Sequence, residues 1–500
     1  MKPKTVTNKN TSVWSLLIAI VFFGFALSAC DSKKEIVSLF PIEKYDQTIS
    51  NWIKASDPSY EKPVLTVERQ QKHFAIFYKH YFGADSPWDP IYVNKILMHE
   101  APDDLKSSEL ELVTNFSNKN KEAQEIGYGE NFHPYQQKWI DEISENMNLD
   151  QLAHPVYQPA NRGIAVDNFR ARILPTEDVD FFSHTIAGQG YPFDNLQISA
   201  LWAGTPLYIL GESKDHAWFL ILTPDFIAWV KSSGIARTTD AFVMQWQAAA
   251  QKNLAAIIKT KTPVIDENNK FRFSAYVGSV FPAEETAQGI KLLIPLSDIN
   301  QNAYVSTSLV AHDSAVIMPL SPTPHHFADV MSTLIGRPYG WGNMYFYNDC
   351  SAELKNLYAA FGIWLPRHSS EQIYAGRAKD ISVGTPKQRL NYLMKEGKNF
   401  TTIIYIGGHI ILYVGQYTNP VTHKPMAMSY QNMWGLHPKS YSGRAVVGRA
   451  VLFPLLTKYP ENKDLDTQAN KELFQVSYLD ETPFNEKRIE IIDLKSLMSA

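Results

Sequence analysis

Residues 155 to 320 consist of short runs of β-branched and aromatic residues that glycine, proline or aspartate repeatedly interrupts. This pattern is typical of small β-barrels, in which short strands alternate with tight turns. A helix-like stretch, DAFVMQWQAAAQKNLAAIIK at 240–259, divides the series. The sequence therefore predicts two barrels, the first over residues 155–262 with a helical insert and the second over residues 263–321.

Helical patterns flank the predicted barrels. The clearest has an aromatic stripe that ends at Gly83, and its members are Phe74, Phe77, Tyr78 and Tyr81. We expect residues 30–154 to form a mainly helical segment, residues 322–457 a domain of helices followed by strands, and residues 458–500 an irregular charged tail. Five hundred residues exceed what one hydrophobic core usually organises, so the expected fold class is multidomain α+β.

Composition and charge indicate which classes of molecule the protein is not expected to bind. The formal net charge is −4 and the isoelectric point lies near 6.4, so no overall positive field exists for nucleic acid and no nucleic-acid partner is expected. His325 and His326 lack a helical HExxH frame, and no glycine-rich phosphate loop is present. We therefore expect no metal and no other cofactor. The expected assembly is a monomer.

The N-terminus has the pattern of a secretory signal. Three lysines within the first nine residues precede an apolar run, 13–27, that is short for a bilayer span. The sequence LSAC that follows resembles a bacterial lipobox, which implies that residues 1–29 are a signal peptide and that Cys30 is acylated. The mature chain would then be an extracytoplasmic, membrane-anchored lipoprotein. Asp31 resembles an inner-membrane retention signal, while the outer membrane and a non-lipidated signal remain the alternatives.

Cys350 is the second of only two cysteines, so acylation of Cys30 would leave it no disulfide partner. Asp349 and Ser351 suit a helix start, Gly362 suits a helix end, and the apolar positions between them are Leu354, Leu357, Tyr358 and Phe361. In the first turn of that helix, the dipole is expected to lower the thiol pKa below its usual value of about 8.5 and so favour the nucleophilic thiolate. The alternative is a small buried hydrophobe.

A thiol nucleophile needs a base, and the segment downstream offers one. FTTIIYIGGHIILYVGQY predicts two strands meeting near His409, and KPMAMSYQNMWGL predicts another. A histidine at a strand end with a polar side chain on the next strand gives the base and orienting residue of a cysteine hydrolase. Gln431 could accept a hydrogen bond from the imidazole, whereas strand alternation turns Asn432 to the opposite face. A histidine satisfied within the core is the alternative for His409.

Four motifs resemble those of the NlpC-type papain-like bacterial cell-wall cysteine peptidases. They are RPYGWG at 337–342, DCSA at 349–352, GIWLPRHSSEQ at 362–372 and GHIILYVG at 408–415. The similarity spans about 322–453. The upstream pattern resembles the subgroup that has a helical N-terminal segment and two bacterial SH3-like barrels, so the resemblance implies two SH3-like barrels and a C-terminal papain-like α+β catalytic domain.

The resemblance implies hydrolysis of the γ-D-glutamyl–diamino acid bond in peptidoglycan stem peptides, for wall turnover or remodelling. Cys350 then matches the nucleophile, His409 the base and Gln431 the third residue. Asp349 and Ser351 match residues that hold the free amino group of an N-terminal L-alanine. Tyr339 matches a pocket residue, and the first barrel matches the element that walls off this end of the substrate.

The sequence departs from the family pattern in four places, and two other functions remain as alternatives. WGG is replaced by WGN at Asn343, CSG by CSA, and no GDL element precedes the histidine strand. The third catalytic position is also more often histidine than glutamine. The alternatives are a catalytically degenerate lipoprotein that binds the wall through its SH3-like domains, and the same fold acting on another acyl group.

Overall fold

The computed structural model describes residues 37–99, 104–419, 422–483 and 487–492. The predicted signal peptide, Cys30 and Asp31 lie outside the described residues. Within those ranges, no helix is long and apolar enough to cross a membrane. The described chain combines a helical N-terminal segment, two small β-sheet domains and a C-terminal domain with an eight-stranded sheet, so its fold class is multidomain α+β.

Helices dominate the N-terminal segment, as the sequence predicts. They are Ile49–Trp52, Val67–Phe82, Pro90–Leu97, Leu105–Phe116 and Gln137–Asn146. Thr66 caps the second of these by accepting a hydrogen bond from the N–H of Arg69, and the helix ends at Gly83. Phe77 and Tyr81 are buried, and both rings contact Trp364 of the C-terminal domain. This helix therefore packs between domains.

The first barrel is an antiparallel sheet of seven strands. In spatial order these are Gln197–Leu201, Phe169–Arg172, Ile227–Lys231, Trp218–Leu222, Pro206–Glu212, Arg162–Ala165 and Ile235–Arg237. One face forms the barrel core, which includes Leu207, Ile209 and Ile221. The other face packs on the N-terminal helices through Tyr208 and Trp218. Burial of both faces explains why these strands are continuously apolar.

The second barrel begins earlier than the sequence predicts. Its five-stranded sheet has the order Ala303–Val310, Gly289–Ser297, Val280–Thr286, Leu254–Ile257 and Ala315–Ile317, and the hairpin Thr262–Ile265 with Phe271–Ala275 stands beside it. The helix Asp240–Lys252, expected as an insert in the first barrel, packs Trp246 into this second core. Ala255 pairs with Phe281 and Ile317. The boundary predicted at residue 262 is therefore wrong, because the helix buries its apolar face on the sheet that follows it.

Within the described residues, the C-terminal domain has an eight-stranded sheet and four α-helices. The strands are, in spatial order, Val37–Leu39, Arg444–Leu455, Pro425–Leu436, Ile410–Thr418, Thr402–Tyr405, Gln475–Tyr478, Arg377–Asp380 and Glu490–Ile491. The helices are Pro324–Leu334, Cys350–Ala359, Ser369–Gln372 and Pro386–Glu396. The central strands are buried on both faces, since one apolar cluster surrounds Cys350 and Leu354 and another surrounds Leu393 and Tyr413.

Both ends of the described chain join this sheet, which corrects two predicted boundaries. The strand Gln475–Tyr478, within the tail predicted to be irregular, forms antiparallel pairs with Thr402–Tyr405 on one side and Arg377–Asp380 on the other. At the other end, Val37–Leu39 forms a parallel pair with the start of Arg444–Leu455. These short segments form strands because they pair with segments far away in the sequence. The local periodicity of the sequence does not indicate such pairing.

Candidate active site

The helix Cys350–Ala359, called the cysteine helix below, begins at the predicted residue. Asp349 is its N-cap, and its Oδ1 atom accepts a hydrogen bond of 2.9 Å from the backbone N–H of Ala352. The predicted apolar positions are all fully buried, namely Leu354, Leu357, Tyr358 and Phe361. Cys350 is only 7% exposed, so the thiol lies at the N-terminal end of a helix that the core holds firmly.

A tight hairpin turn places His409 beside this helix end. Gly407 and Gly408 join two antiparallel strands and have φ values of +72° and +80°. Positive φ at both central residues is the type I′ pattern, which glycine adopts without strain. The thiol of Cys350 lies 4.0 Å from the carbonyl oxygen of Gly408 and donates to it. The turn therefore holds the residue before His409 against the cysteine.

Gln431 faces His409 from the neighbouring strand, as predicted. The Nε2 atom of His409 lies 2.7 Å from the Oε1 atom of Gln431. An amide oxygen can only accept, so this bond keeps a proton on Nε2 and leaves Nδ1 of the neutral ring as the proton acceptor. The structure thus holds Gln431 against His409, and it holds Gly408, the residue before His409, against Cys350.

The orientation of the Gln431 amide is set by Ser429. The hydroxyl of Ser429 donates to the carbonyl oxygen of Phe453 at 2.6 Å. Because the hydroxyl proton of Ser429 is used in that bond, its oxygen can only accept a second hydrogen bond, and it accepts one from Nε2 of Gln431 at 2.9 Å. The amide nitrogen therefore points to Ser429 and the amide oxygen points to His409.

Gln468, which the sequence analysis missed, holds the same amide. Its Nε2 atom donates to Oε1 of Gln431 at 2.5 Å, and its Oε1 atom accepts from Nε2 of Gln431 at 3.0 Å. Gln468 is 3% exposed and opens a short 3₁₀ turn in the tail that was predicted to be irregular. A glutamine in a charged tail gives no local signal of such a contact.

Asn432 points to the opposite face of the strand, as alternation predicts. Its Nδ2 atom donates to the carbonyl oxygen of Asn348 at 2.9 Å and to Oε2 of Glu353 at 3.3 Å. The hydroxyl of Tyr430 also donates to Glu353, and burial raises the pKa of that carboxyl. These bonds attach the strand carrying Gln431 to the cysteine helix, because Glu353 lies on that helix.

Asp349 is paired with Arg367, a second residue that the sequence analysis missed. Nη1 of Arg367 donates to Oδ1 at 3.1 Å, and Nη2 donates to Oδ2 at 2.6 Å. Ser351 donates to Oδ1 of Asp349 at 3.1 Å and accepts from Nη1 of Arg367 at 2.8 Å. The pair is bidentate and buried, so the carboxylate predicted to bind substrate already has a cationic partner. In the sequence, the only indication of this ion pair was the arginine within the motif LPRHSSEQ.

The first barrel contacts this cluster directly. Nε of Arg367 donates to the hydroxyl of Ser199 at 2.7 Å, and Nη2 donates to the carbonyl oxygen of Ile198 at 3.2 Å. Gln197 donates from Nε2 to the carbonyl oxygen of Gly342 at 2.8 Å. One edge strand of the barrel therefore forms a wall next to Asp349, as the resemblance implies.

Comparisons with known proteins agree with this architecture. Family models match residues 180–231 as an SH3 domain of the SH3b1 type, 240–286 as an SH3 domain of the SH3b2 type and 336–438 as the NlpC/P60 family. The solved structure of an NlpC/P60 endopeptidase from Photobacterium damselae subsp. piscicida is 30% identical to this chain, with a TM-score of 0.74. The match covers 88% of this chain and 98% of that one. This chain belongs to the NlpC/P60 family.

Members of the NlpC/P60 family are cell-wall peptidases, and the two SH3 domains complete the predicted architecture. A weaker likeness links the chain to an NlpC/P60 family protein from Bacillus cereus ATCC 10987, with 14% identity, a TM-score of 0.40 and coverage of 61% of this chain and 98% of that one. No curated protein sequence matches the chain.

The structure gives a physical reason for one departure from the NlpC/P60 pattern. Asn343, in place of the second glycine of WGG, has φ of +59°, a left-handed conformation that asparagine tolerates better than most residues. Its Nδ2 atom donates to Oδ1 of Asn348 at 3.0 Å, and its Oδ1 atom accepts from the hydroxyl of Ser199 at 3.2 Å. The substitution therefore ties this loop to the first barrel.

Tyr339 lies in an aromatic cluster beside the cysteine. Its ring is 6.1 Å from that of Trp434, and Phe193 of the first barrel contacts both Trp434 and Trp341 at 5.3 and 5.2 Å. Burial, followed by the proximity of Cys350, raises the pKa of the Tyr339 hydroxyl well above its usual value. The predicted pocket residue therefore lies close enough to the thiol for the charge of Cys350 to affect its pKa.

The expected thiolate is not what the structure favours. Burial, reinforced by the negative charge of Asp349, raises the pKa of the Cys350 thiol to about 12. Burial also lowers the pKa of His409, although its bond to Gln431 opposes that shift. The prediction of a lowered thiol pKa is wrong for the free protein, because loss of solvation outweighs the dipole of the helix. Burial therefore opposes both the thiolate form of Cys350 and the imidazolium form of His409.

Within the described ranges, no group of three or more histidine, cysteine, aspartate or glutamate side chains could hold a metal ion. His325 lies instead in a surface contact between Glu61 and Asp329.

Proposed function

We propose that this chain is a cysteine endopeptidase that hydrolyses the γ-D-glutamyl–diamino acid bond of stem peptides carrying a free N-terminal L-alanine. One observation carries the proposal. A buried thiol at a helix N-terminus lies against the carbonyl oxygen of Gly408, and the next residue, His409, has its Nε2 proton held by Gln431, so Nδ1 is left to accept the thiol proton. This is the arrangement that a neutral cysteine nucleophile requires.

In the first step, Nδ1 of His409 takes the proton of the Cys350 thiol while Sγ attacks the γ-carbonyl carbon of the D-glutamate. The oxyanion that forms lies near the backbone N–H of Cys350, where the unpaired N–H groups and the dipole of the cysteine helix stabilise negative charge. His409 then returns its proton to the departing amine. The C–N bond breaks, the diamino acid leaves and a thioester remains on Cys350.

In the second step, water replaces the amine. Nδ1 of His409 removes a proton from the water as its oxygen attacks the thioester carbon, and the same proton then returns to the sulfur. L-Ala-D-Glu leaves with a new carboxyl group, and the thiol is restored. Because both groups start neutral, proton transfer occurs together with attack, and Gln431 stabilises the imidazolium by accepting from its Nε2–H throughout.

Asp349 is the proposed partner of the substrate ammonium. Its Oδ1 atom accepts from Ala352, Ser351 and Arg367, whereas Oδ2 accepts a single bond among the described residues, from Arg367. Oδ2 therefore keeps acceptor capacity for an ammonium group. Arg367 fixes the carboxylate in place, and Ser351 and Tyr339 border the same pocket.

The test uses the chain from residue 30 onward with L-Ala-γ-D-Glu-diaminopimelate. We expect release of L-Ala-D-Glu, no release by Cys350→Ala, and much slower release from the same peptide N-acetylated on alanine. Binding of the peptide without any product would instead indicate the degenerate wall-binding protein. Equal cleavage of free and acetylated peptides would contradict the role of Asp349 while leaving the peptidase intact.

We also propose that Cys30 is acylated and anchors the chain on the extracytoplasmic side of a membrane. The support is the lysine-rich start, the short apolar run and the LSAC motif. Metabolic labelling with a fatty acid in a Gram-negative host should mark the wild-type chain and not Cys30→Ser. Labelling that persists in this variant would refute the anchor, and fractionation would show which membrane holds it.

A further inference from the structure

A cavity of about 1010 Å³ lies at one end of the C-terminal sheet, apart from the cysteine site. It is bounded by the start of the strand Pro425–Leu436, the end of the strand Arg444–Leu455, the helix Pro386–Glu396 and the N-terminal residues 44–52. None of Cys350, His409, Gln431 or Asp349 lines it. Its volume is at the upper end of the roughly 300–1,000 Å³ typical of small-molecule sites.

The interior of the cavity is apolar and rich in methionine. Its apolar lining includes Trp52, Leu390, Met394, Met426, Met428 and Leu455. Methionine side chains adapt to flexible aliphatic ligands because they are unbranched and polarizable. A polar stem peptide would leave this surface without matching groups, whereas an acyl chain would cover it.

Five lysines surround the cavity, and none of them forms an ion pair with any residue that the structure describes. They are Lys44, Lys387, Lys424, Lys458 and Lys463, and all are exposed. The two carboxylates at the rim are already engaged. Asp46 accepts from the N–H of Thr48 at 2.8 Å and from Asn51 at 2.7 Å, and Glu461 accepts from the hydroxyl of Tyr45 at 2.9 Å. The rim therefore carries five positive charges against two negative ones around an apolar interior.

We propose that this cavity binds a single anionic amphiphile, with its acyl chain among the methionines and its head group on the lysines. An uncharged apolar ligand would leave the lysine ring unused, and a small inorganic anion would leave the interior unfilled. The charge pattern and the apolar volume together select a ligand that has both parts. The ligand can come from free fatty acid or from the lipid of a membrane.

The binding test uses the chain from residue 30 onward and the fluorescent fatty acid cis-parinaric acid. We expect saturable fluorescence enhancement that palmitate displaces, and at least tenfold weaker displacement by monopalmitoylglycerol, which has the same chain and no charge. Met394→Glu places a charge at a half-buried position of the lining and should weaken palmitate binding at least tenfold. Vesicles of phosphatidylglycerol, compared with phosphatidylcholine, show whether the lipid is taken from a bilayer.

A second pair of variants separates the lysine ring from overall charge. Lys387→Glu with Lys458→Glu should weaken palmitate binding at least tenfold, whereas Lys252→Glu with Lys270→Glu, an equal charge change at exposed lysines of the second barrel, should leave it unchanged. Equal binding by both double variants would overturn the proposal. An absence of saturable binding would also overturn it, as would vesicle binding that Met394→Glu does not weaken. Binding that appears only after residues 30–36 are deleted would overturn it too. That last result would mean that the chain's own segment fills the cavity.

Discussion

Replacing Gln468 with leucine tests whether the tail controls His409, the proposed catalytic base. Gln468 makes two hydrogen bonds to Gln431, one to each end of its amide. Leucine keeps a similar volume and removes both bonds. The amide of Gln431 can then rotate more easily, and in the rotated state its NH₂ group faces His409 and favours the tautomer with the proton on Nδ1. That tautomer cannot accept the proton of Cys350.

The expected loss follows from the number of bonds. A buried hydrogen bond contributes about 0.5–1.5 kcal/mol net, so two contribute about 1–3 kcal/mol. If this energy is lost from the transition state, kcat/KM falls about 5- to 150-fold, since about 1.4 kcal/mol corresponds to tenfold. The bond from Gln431 to Ser429 remains, which favours the lower part of that range. The loss should lie in kcat, because Gln468 does not touch the predicted substrate pocket.

The assay is steady-state release of L-Ala-D-Glu as a function of pH. Gln475→Leu is the matched control, because Gln475 is a buried glutamine of the same tail whose Nε2 donates to Asp380 at 3.0 Å, away from the site. Gln468→Glu should also lose activity, because its carboxylate accepts from Nε2 of Gln431 but sets a second oxygen, which cannot donate, against Oε1 of Gln431; its charge should raise the pKa of His409. Equal kcat values for Gln468→Leu and wild type, or equal losses in Gln468→Leu and Gln475→Leu, would refute the reasoning.

Three further predictions concern the site. Arg367→Met should lower the free energy of unfolding by about 3–5 kcal/mol, because it leaves Asp349 buried without its cation. The double variant Arg367→Met with Asp349→Asn should recover part of that loss. If urea denaturation shows that the effects of the two substitutions are strictly additive, the pairing is contradicted. Because burial lowers the pKa of His409, the acid limb of kcat/KM should have its midpoint below the ordinary 6.5, and a midpoint above that value would contradict a neutral resting imidazole. Iodoacetamide should alkylate Cys350 about tenfold faster per pH unit between pH 7 and 10, and a rate that levels off near neutral pH would show a resting thiolate instead.

Local patterns in the sequence predicted the elements that carry the site. The apolar spacing after Cys350 and the capping residue Asp349 define the start of the cysteine helix, and the glycine pair before His409 defines its hairpin. Strand alternation predicted that Gln431 and Asn432 face opposite sides. These features depend on residues within a few positions of one another, so the chain encodes them without reference to the rest of the fold.

Only the tertiary structure decided which distant segments meet. It assigned the helix Asp240–Lys252 to the second barrel, placed the strand Gln475–Tyr478 inside the C-terminal sheet, and brought Gln468 to Gln431 and Arg367 to both Asp349 and Ser199. It also reversed the expected direction of the Cys350 pKa shift, because burial depends on every element packed around the thiol. Such contacts join residues far apart in the chain, and their energy comes from burial and pairing that exist only once the whole domain has assembled.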